Sequence, residues 1–402
     1  MAVGSHGCVL RTDSSPGAAH SFPTAHSSMP RLVVVFLRGA ADGLSIVVPH
    51  QDPAYYEARP NVAMSPPQDG KGILDLDGYF GLHPALADLM PQWQSGNLAF
   101  VHGTGLPNPI RSHFEAQDYM EIGVPETRAF TDGWMNRLLS VLSGSSSNPN
   151  STQAVNFGSL TPLIASGAEP VASVNLGPKG LHPAAVDYQE LATAFDQLYS
   201  GPDRLSQVYQ SGRTARELLL QVLDRQWIQS VPEASTIHGF SRSAHALAQL
   251  MRAETQTQLA ILELGGWDTH VNQVFNLNKQ LTILNDGLAL FIEQLGELYN
   301  DTTIVVMSEF GRTVEENGNR GTEHGHGNVM WLLGGAVQGQ RMYGSWSSLT
   351  ESNLNEARDL MVTTDFRDVL SSILGEQWGL NPNQIATVFP QYQANMSLPF
   401  FG

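Results

Sequence analysis

The chain has 402 residues, 42% of them hydrophobic, which is enough to bury a large core, and α/β folds of this size are often single units. Lys and Arg number 21 against 38 Asp and Glu, a formal charge of -17 that repels nucleic acid and anionic lipid and excludes a generic nucleic-acid binder. Cys8 is the only cysteine, which excludes an intrachain disulfide and a cysteine-based zinc site, and no apolar run approaches the roughly 20 residues of a spanning helix.

Residues 1–30, rich in Ser, Gly, Ala, His and Pro and without the apolar core of a signal peptide, read as a disordered leader or a remnant, with His6, His20 and His26 solvated. Order is expected from Arg31. Leu32 to Leu37 is a continuous apolar run rich in β-branched residues, the pattern of a buried parallel strand, and it enters the small-residue turn Arg38 to Gly43. A second run, Leu98 to Val101, leads into a Gly- and Pro-rich loop from His102 to Arg111, and Ser112 then opens an amphipathic stretch through Met120. Short strands are expected near Gln153 to Phe157, Pro162 to Ala165 and Val171 to Leu176, followed by a helical pattern from Asp187 to about Glu254. The last third alternates: a strand Gln258 to Leu264, a helix Val274 to Tyr299, a strand Thr302 to Met307 and a strand Asn328 to Leu333. Such alternation predicts a mainly parallel sheet with helices on both faces, in a single α/β domain over 31–402, with 182–256 as a candidate helical subdomain.

The polar residues of the intervening loops fall into a pattern. Asp42, Asp268 with His270, and Glu309 each lie just beyond the carboxyl end of a candidate strand, while His324 and His326 lie just before one. In open α/β sheets the ligand crevice lies outside the strands' carboxyl ends, so these loops can converge there. Carboxylates with imidazoles suit zinc, manganese or iron, and carboxylate-rich sets also suit calcium and magnesium. Plain structural readings stand beside this one: an Asx turn at Asp42, a helix N-cap at Asp268, loop histidines at His324 and His326. Four separate loops presenting acid or imidazole weigh against them. Ser112-His113-Phe114-Glu115 fits a capping box, yet a hydroxyl at a helix N-terminus is also where free N–H groups hold a phosphate or sulfate. Arg111 and Arg312 are candidate oxyanion clamps, or else salt-bridged structural residues.

The runs Arg111 to Gln117, Gly265 to His270, Ser308 to Thr313, Gly321 to Gly325 and Thr363 to Arg367 resemble, in that order, a bacterial family of unknown function. That family is placed in the alkaline phosphatase and sulfatase superfamily and is often exported with a twin-arginine signal. The resemblance covers roughly Arg31 to the C-terminus. It implies an alkaline-phosphatase-like fold, a nucleophile at Ser112, one metal site from Asp268, His270 and His324, and a second from Asp42, Ser112 and Glu309. Where the superfamily has Asp-His this chain has Glu309-Phe310, so the second site loses a nitrogen ligand. Glu323 replaces a more usual Asp, and His326 is a substitute ligand or an outer group. Pro107 occupies the position where sulfatases carry the Cys or Ser of their x-Pro-x-Arg motif, which excludes a formylglycine enzyme and leaves Thr104 as a second candidate nucleophile.

These features imply a metal-dependent hydrolase of phosphate or sulfate esters acting on a small-molecule or saccharide ester. The divalent metal is zinc first, with manganese, magnesium or calcium as alternatives. The competing readings are a non-catalytic sugar- or cell-wall-binding member of the fold and a mutase or transferase. No nucleic acid and no membrane span are expected, the oligomeric state is left open, and the family resemblance implies a periplasmic or secreted protein.

Overall fold

The structure, a computed structural model, describes residues 29–401 except 69–71, 126–128, 145–152, 159, 178–179, 182, 231–238 and 254–255. The leader expected over residues 1–30 lies almost wholly outside the described residues.

The apolar runs read from the sequence form the central sheet. Its strands are β1 (Arg31–Arg38), β2 (Leu98–Gly105), β3 (Ala154–Phe157), β4 (Ala172–Val174), β5 (Leu259–Gly265), β6 (Thr302–Ser308), β7 (Asn328–Leu333), β8 (Arg341–Tyr343) and β9 (Thr364–Asp365). They lie in the order β8-β2-β7-β6-β1-β5-β3-β4, with β9 also pairing with β2. All pairings are parallel except the two made by β7, which runs antiparallel to β6 and β2. β1 lies near the middle, between β5 and β6, and every one of its residues but Arg38 is buried.

That burial on both sides explains the unbroken apolar run. Val33, Val35 and Leu37 enter one core, while Leu32, Val34 and Phe36 enter the other. Successive strand side chains point to opposite faces, so each face needs its own cover. The first face is covered by Gly239–Ala253 and Gln273–Leu295, through Leu247, Leu281 and Phe291 among others. The second is covered by Trp134–Ser143 and Phe366–Trp378, through Trp134, Leu138 and Leu370. Fully burying one such side chain is worth roughly 1.5–3 kcal/mol.

The stretch from Asp187 is helical as its spacing predicts: Gln189–Leu198, Arg204–Ser230 and Gly239–Ala253. Leu219, Val222 and Leu223 belong to the same core as the first sheet face. Two local expectations change. Leu163–Ala165 is a 3-10 turn rather than a strand, because Pro162 and the hydrogen bond from Ala165 to the Pro162 carbonyl close a turn there. β2 runs on to Gly105, beyond the expected end at Val101, because Thr104 pairs with Asn328 and Thr364 on its two sides.

Candidate metal centre

Four loops meet at one edge of the sheet. Those after β1, β2 and β5 leave from carboxyl ends, and the one from β6 to β7 both leaves and returns at this edge because β7 is reversed. The last of these loops is a hairpin of Arg312–Glu316 and Thr322–His324. Close approach of the loops is set by glycine. Gly39 has φ +119°, and a Cβ there would lie 2.8 Å from the Asp268 nitrogen; a Cβ on Gly321 would lie 2.1 Å from the His270 carbonyl oxygen.

At this edge three imidazoles surround one carboxylate oxygen. Asp268 Oδ1 lies 3.0 Å from His270 Nε2, 3.2 Å from His324 Nε2 and 3.5 Å from His113 Nε2. His270 Nε2 and His324 Nε2 are 3.0 Å apart. His113, Asp268 and His324 each offer a ligand atom, all within 4.8 Å of one another, so they form a group that could hold a metal ion; His270 abuts it through Asp268 and His324.

The tautomers follow from the outer partners. His113 Nδ1 lies 2.8 Å from Glu309 Oε1, His270 Nδ1 lies 2.9 Å from Glu323 Oε2, and His324 Nδ1 lies 2.8 Å from the Arg111 carbonyl oxygen. An ionised carboxylate or a carbonyl can only accept, so each Nδ1 carries the proton and donates it. In the neutral rings every Nε2 therefore turns a lone pair towards Asp268. Lone pairs facing a carboxylate at these distances repel; the Arg312 guanidinium, 2.7 Å from the same Asp268 Oδ1, offsets part of this, and a metal ion among them would offset the rest. Metal-binding histidines are braced in this way, through the nitrogen that does not ligate. Tetrahedral zinc with bonds of 2.0–2.1 Å separates its ligand atoms by roughly 3.3 Å, near the three spacings from Asp268 Oδ1 to the imidazole nitrogens.

The charges are arranged to suit. Burial opposes ionisation of Asp268, but Arg312, helped by His270 and His324, holds its carboxyl at about 2. The hydrogen bond to Glu309 raises the His113 pKa above the usual histidine value, against partial burial. Burial lowers that of His324. Glu309 is buried too, yet its hydrogen bonds from His113 and Gln117 keep its pKa below the ordinary glutamate value.

A family model covers residues 29–389. The chain belongs to that family, Protein of unknown function (DUF1501). No curated protein matches the DUF1501 chain. Among solved structures it is similar to Ps i-CgsB in complex with k-i-k-neocarrahexaose, at 10% identity and a TM-score of 0.41, over 89% of this chain and 74% of that one. It is similar to the periplasmic domain of EcEptC from Escherichia coli, at 12% identity and a TM-score of 0.35, over 92% and 88%. A third is the alkaline phosphatase of the Antarctic bacterium TAB5, at 10% identity and a TM-score of 0.36, over 91% and 100%. No helix among the described residues is long and apolar enough to cross a membrane.

The expected site residues of this DUF1501 chain divide. Asp268, His270 and His324 come together, and Glu309 reaches the cluster through His113. Asp42 does not join them: it is fully buried against Arg59, 2.6 Å away, and takes a further bond from Gln273. Burial opposes its ionisation, but Arg59 keeps its pKa low, so its charge is neutralised inside the protein and not offered to an ion. His326 points elsewhere, with Nε2 2.9 Å from the Leu106 carbonyl oxygen. Arg312 is buried and binds the Gly39, Ala40, Trp267 and Thr322 carbonyls as well as Asp268, holding the loops together rather than facing an oxyanion. Arg111 pairs with Asp359 at 2.6 Å and Glu356 at 2.7 Å. Ser112 is the exposed N-cap of His113–Ile122, but its hydroxyl makes no capping bond. Thr104 is buried in β2. The N-cap expected at Asp268 falls instead at Asn272.

His113 is the residue that sequence reasoning passed over, absorbed into a capping box. Its signal was its place as the first residue of a helix starting at the sheet edge, which aims the ring along the crevice. Phe310, where the resemblance leads one to expect a histidine, stacks on His113 at 5.0 Å and lies 5.1 Å from His324, walling the two imidazoles on one side. A cavity of about 820 Å³ opens beside the cluster, lined by Glu57, Glu315, Glu316, Glu323 and Glu351 among others. Its wall has the wrong charge for an anionic ester, so the histidine cluster is the candidate reaction site.

Proposed function

We propose that this chain is a metal-dependent hydrolase of phosphate or sulfate esters, built on one centre in which His113, Asp268, His270 and His324 hold a divalent ion. The observation that carries the reading is the set of three braced imidazoles whose Nε2 atoms lie 3.0–3.5 Å from Asp268 Oδ1. Three nitrogens and one carboxylate oxygen favour zinc over magnesium or calcium. Such an ion supplies Lewis acidity towards an ester oxygen. The chain's own groups supply the rest. Ser112 is the candidate nucleophile: it is exposed between Arg111, whose carbonyl braces His324, and His113, which faces the centre. The free N–H groups at the start of its helix suit the anionic ester. A small-molecule or saccharide ester is the proposed substrate, and a periplasmic or secreted location follows from the family resemblance.

A second reading, a non-catalytic binding protein, is favoured by the engagement of Arg312 and the pairing of Arg111 with two carboxylates. Elemental analysis of purified protein, followed by a screen of phosphate and sulfate esters with and without added zinc, separates the two. About one tightly held ion per chain with zinc-dependent ester cleavage supports the hydrolase. An ion with no cleavage of any ester supports the binding protein, and no ion after reconstitution refutes the metal centre.

A further inference from the structure

Glu309 has no exposed surface, and its Oε1 is fully engaged by protein donors. Oε1 receives His113 Nδ1 at 2.8 Å, Gln117 Nε2 at 2.7 Å and the Gly39 N–H at 2.8 Å; Oε2 lies 2.9 Å from Ser308 Oγ. A carboxylate oxygen offers about two lone-pair sites, so Oε1, with three donors, has none left to give an ion, while the Ser308 hydroxyl beside Oε2 also lies 2.6 Å from the Leu37 carbonyl oxygen. What it does give is order to His113.

Because Glu309 can only accept, Nδ1 of His113 carries a proton, and in the neutral ring Nε2 keeps its lone pair. That Nε2 is buried without a hydrogen-bond partner and sits 3.5 Å from Asp268 Oδ1. Stacking on Phe310, with ring planes 24° apart, fixes the ring from the side. Glu309 is itself held by a chain of oriented groups. Arg38 donates to Gln117 Oε1 at 2.8 Å, which forces the Gln117 amide nitrogen towards Glu309. Arg38 in turn is anchored between Glu121 and Glu263. A relay of fixed donors and acceptors thus runs from the end of β1 to the buried nitrogen at the centre.

We infer that Glu309 is a positioning residue, setting the tautomer and ring orientation of His113 for a single-ion centre, and is not the ligand of a second ion. This rests on the metal reading above. Outer carboxylates that orient metal-binding histidines contribute about 10–100-fold to metal affinity.

The test is a calorimetric cycle of zinc binding on the full chain, with Glu309→Ala, His113→Ala and the double variant. Glu309→Ala is expected to weaken binding by about 10–100-fold at unchanged stoichiometry. In the His113→Ala background it is expected to have no further effect, because its action passes through that ring. Glu309→Gln, which keeps the shape, is expected to be weakened less than the alanine variant and serves if the latter does not fold. Nitrogen chemical shifts of His113, read at alkaline pH where the ring is neutral, give a second readout: the ion-free wild type is expected to show the Nδ1-protonated form, and Glu309→Ala a mixture. Stoichiometry falling from two to one in a Glu309 variant overturns the inference, as does an effect undiminished without His113, or wild-type affinity in both Glu309 variants. Absence of zinc binding by wild type refutes the metal reading itself, whereas wild-type binding that ignores Glu309 refutes the positioning role alone.

Discussion

Arg59 and Asp42 face each other at 2.6 Å with no solvent reaching either side chain, and Arg59 also donates to the Val314 and Thr313 carbonyls. Removing one partner of a buried pair leaves an uncompensated charge, which costs about 3–5 kcal/mol. Arg59→Met is therefore expected to lower the unfolding free energy by about that much in urea titrations. Asp42→Asn is expected to leave zinc stoichiometry unchanged, because Asp42 stands outside the histidine cluster.

The same pair sets an acid dependence. Despite burial, Arg59 depresses the folded Asp42 pKa below its ordinary 3.8. Its stabilisation is fully present above that value and is lost as pH falls through the lower, folded one. The difference in unfolding midpoint between wild type and Asp42→Asn should be constant from neutral pH to about pH 4 and shrink below it. A difference that stayed constant to lower pH would show that Asp42 is not the titrating group.

Two histidines two positions apart should behave oppositely. His324→Ala removes an imidazole at 3.2 Å from Asp268 and is expected to abolish tight zinc binding. His326→Ala removes a ring bonded to the Leu106 carbonyl and is expected to leave zinc affinity within about twofold, since it breaks no contact with the cluster. Equilibrium dialysis of both variants distinguishes them.

Ser112 separates structure from chemistry. N-cap serines that accept a helix N–H contribute about 1 kcal/mol, but Ser112 makes no such bond. Ser112→Ala is thus expected to shift stability by no more than about 0.5 kcal/mol while removing ester hydrolysis. Full activity in this variant would move the nucleophile elsewhere.

Much of this arrangement was legible in the sequence where a single physical cause wrote the pattern. Leu32 to Leu37 and Val329 to Leu333 are unbroken apolar runs because both faces of the sheet are covered, and each formed the strand that its composition predicts. Asp268, His270 and His324 could be read as converging because loops at one sheet edge must meet. The direction of β7 could not be read, since an apolar run carries no polarity. Asp42 misled for a related reason: its partner Arg59 lies in a short helical turn and loop whose approach to β1 is a tertiary fact. Glu309 was placed at the right edge, but whether a carboxylate meets an ion or a histidine depends on His113, contributed by a helix almost two hundred positions earlier.

The candidate ligands come from three widely separated stretches, with His113 in the first third of the chain and His324 in the last quarter. Neither the unfolded protein nor any short fragment brings these atoms together. An ion that binds only the finished arrangement adds its binding free energy to that of the fold, about 4.1 kcal/mol at a thousandfold excess over Kd. Occupancy would then act as a clasp across the whole sheet: a chain that has not yet seated β7 beside β2 holds no ion, and one that has done so gains resistance to reopening.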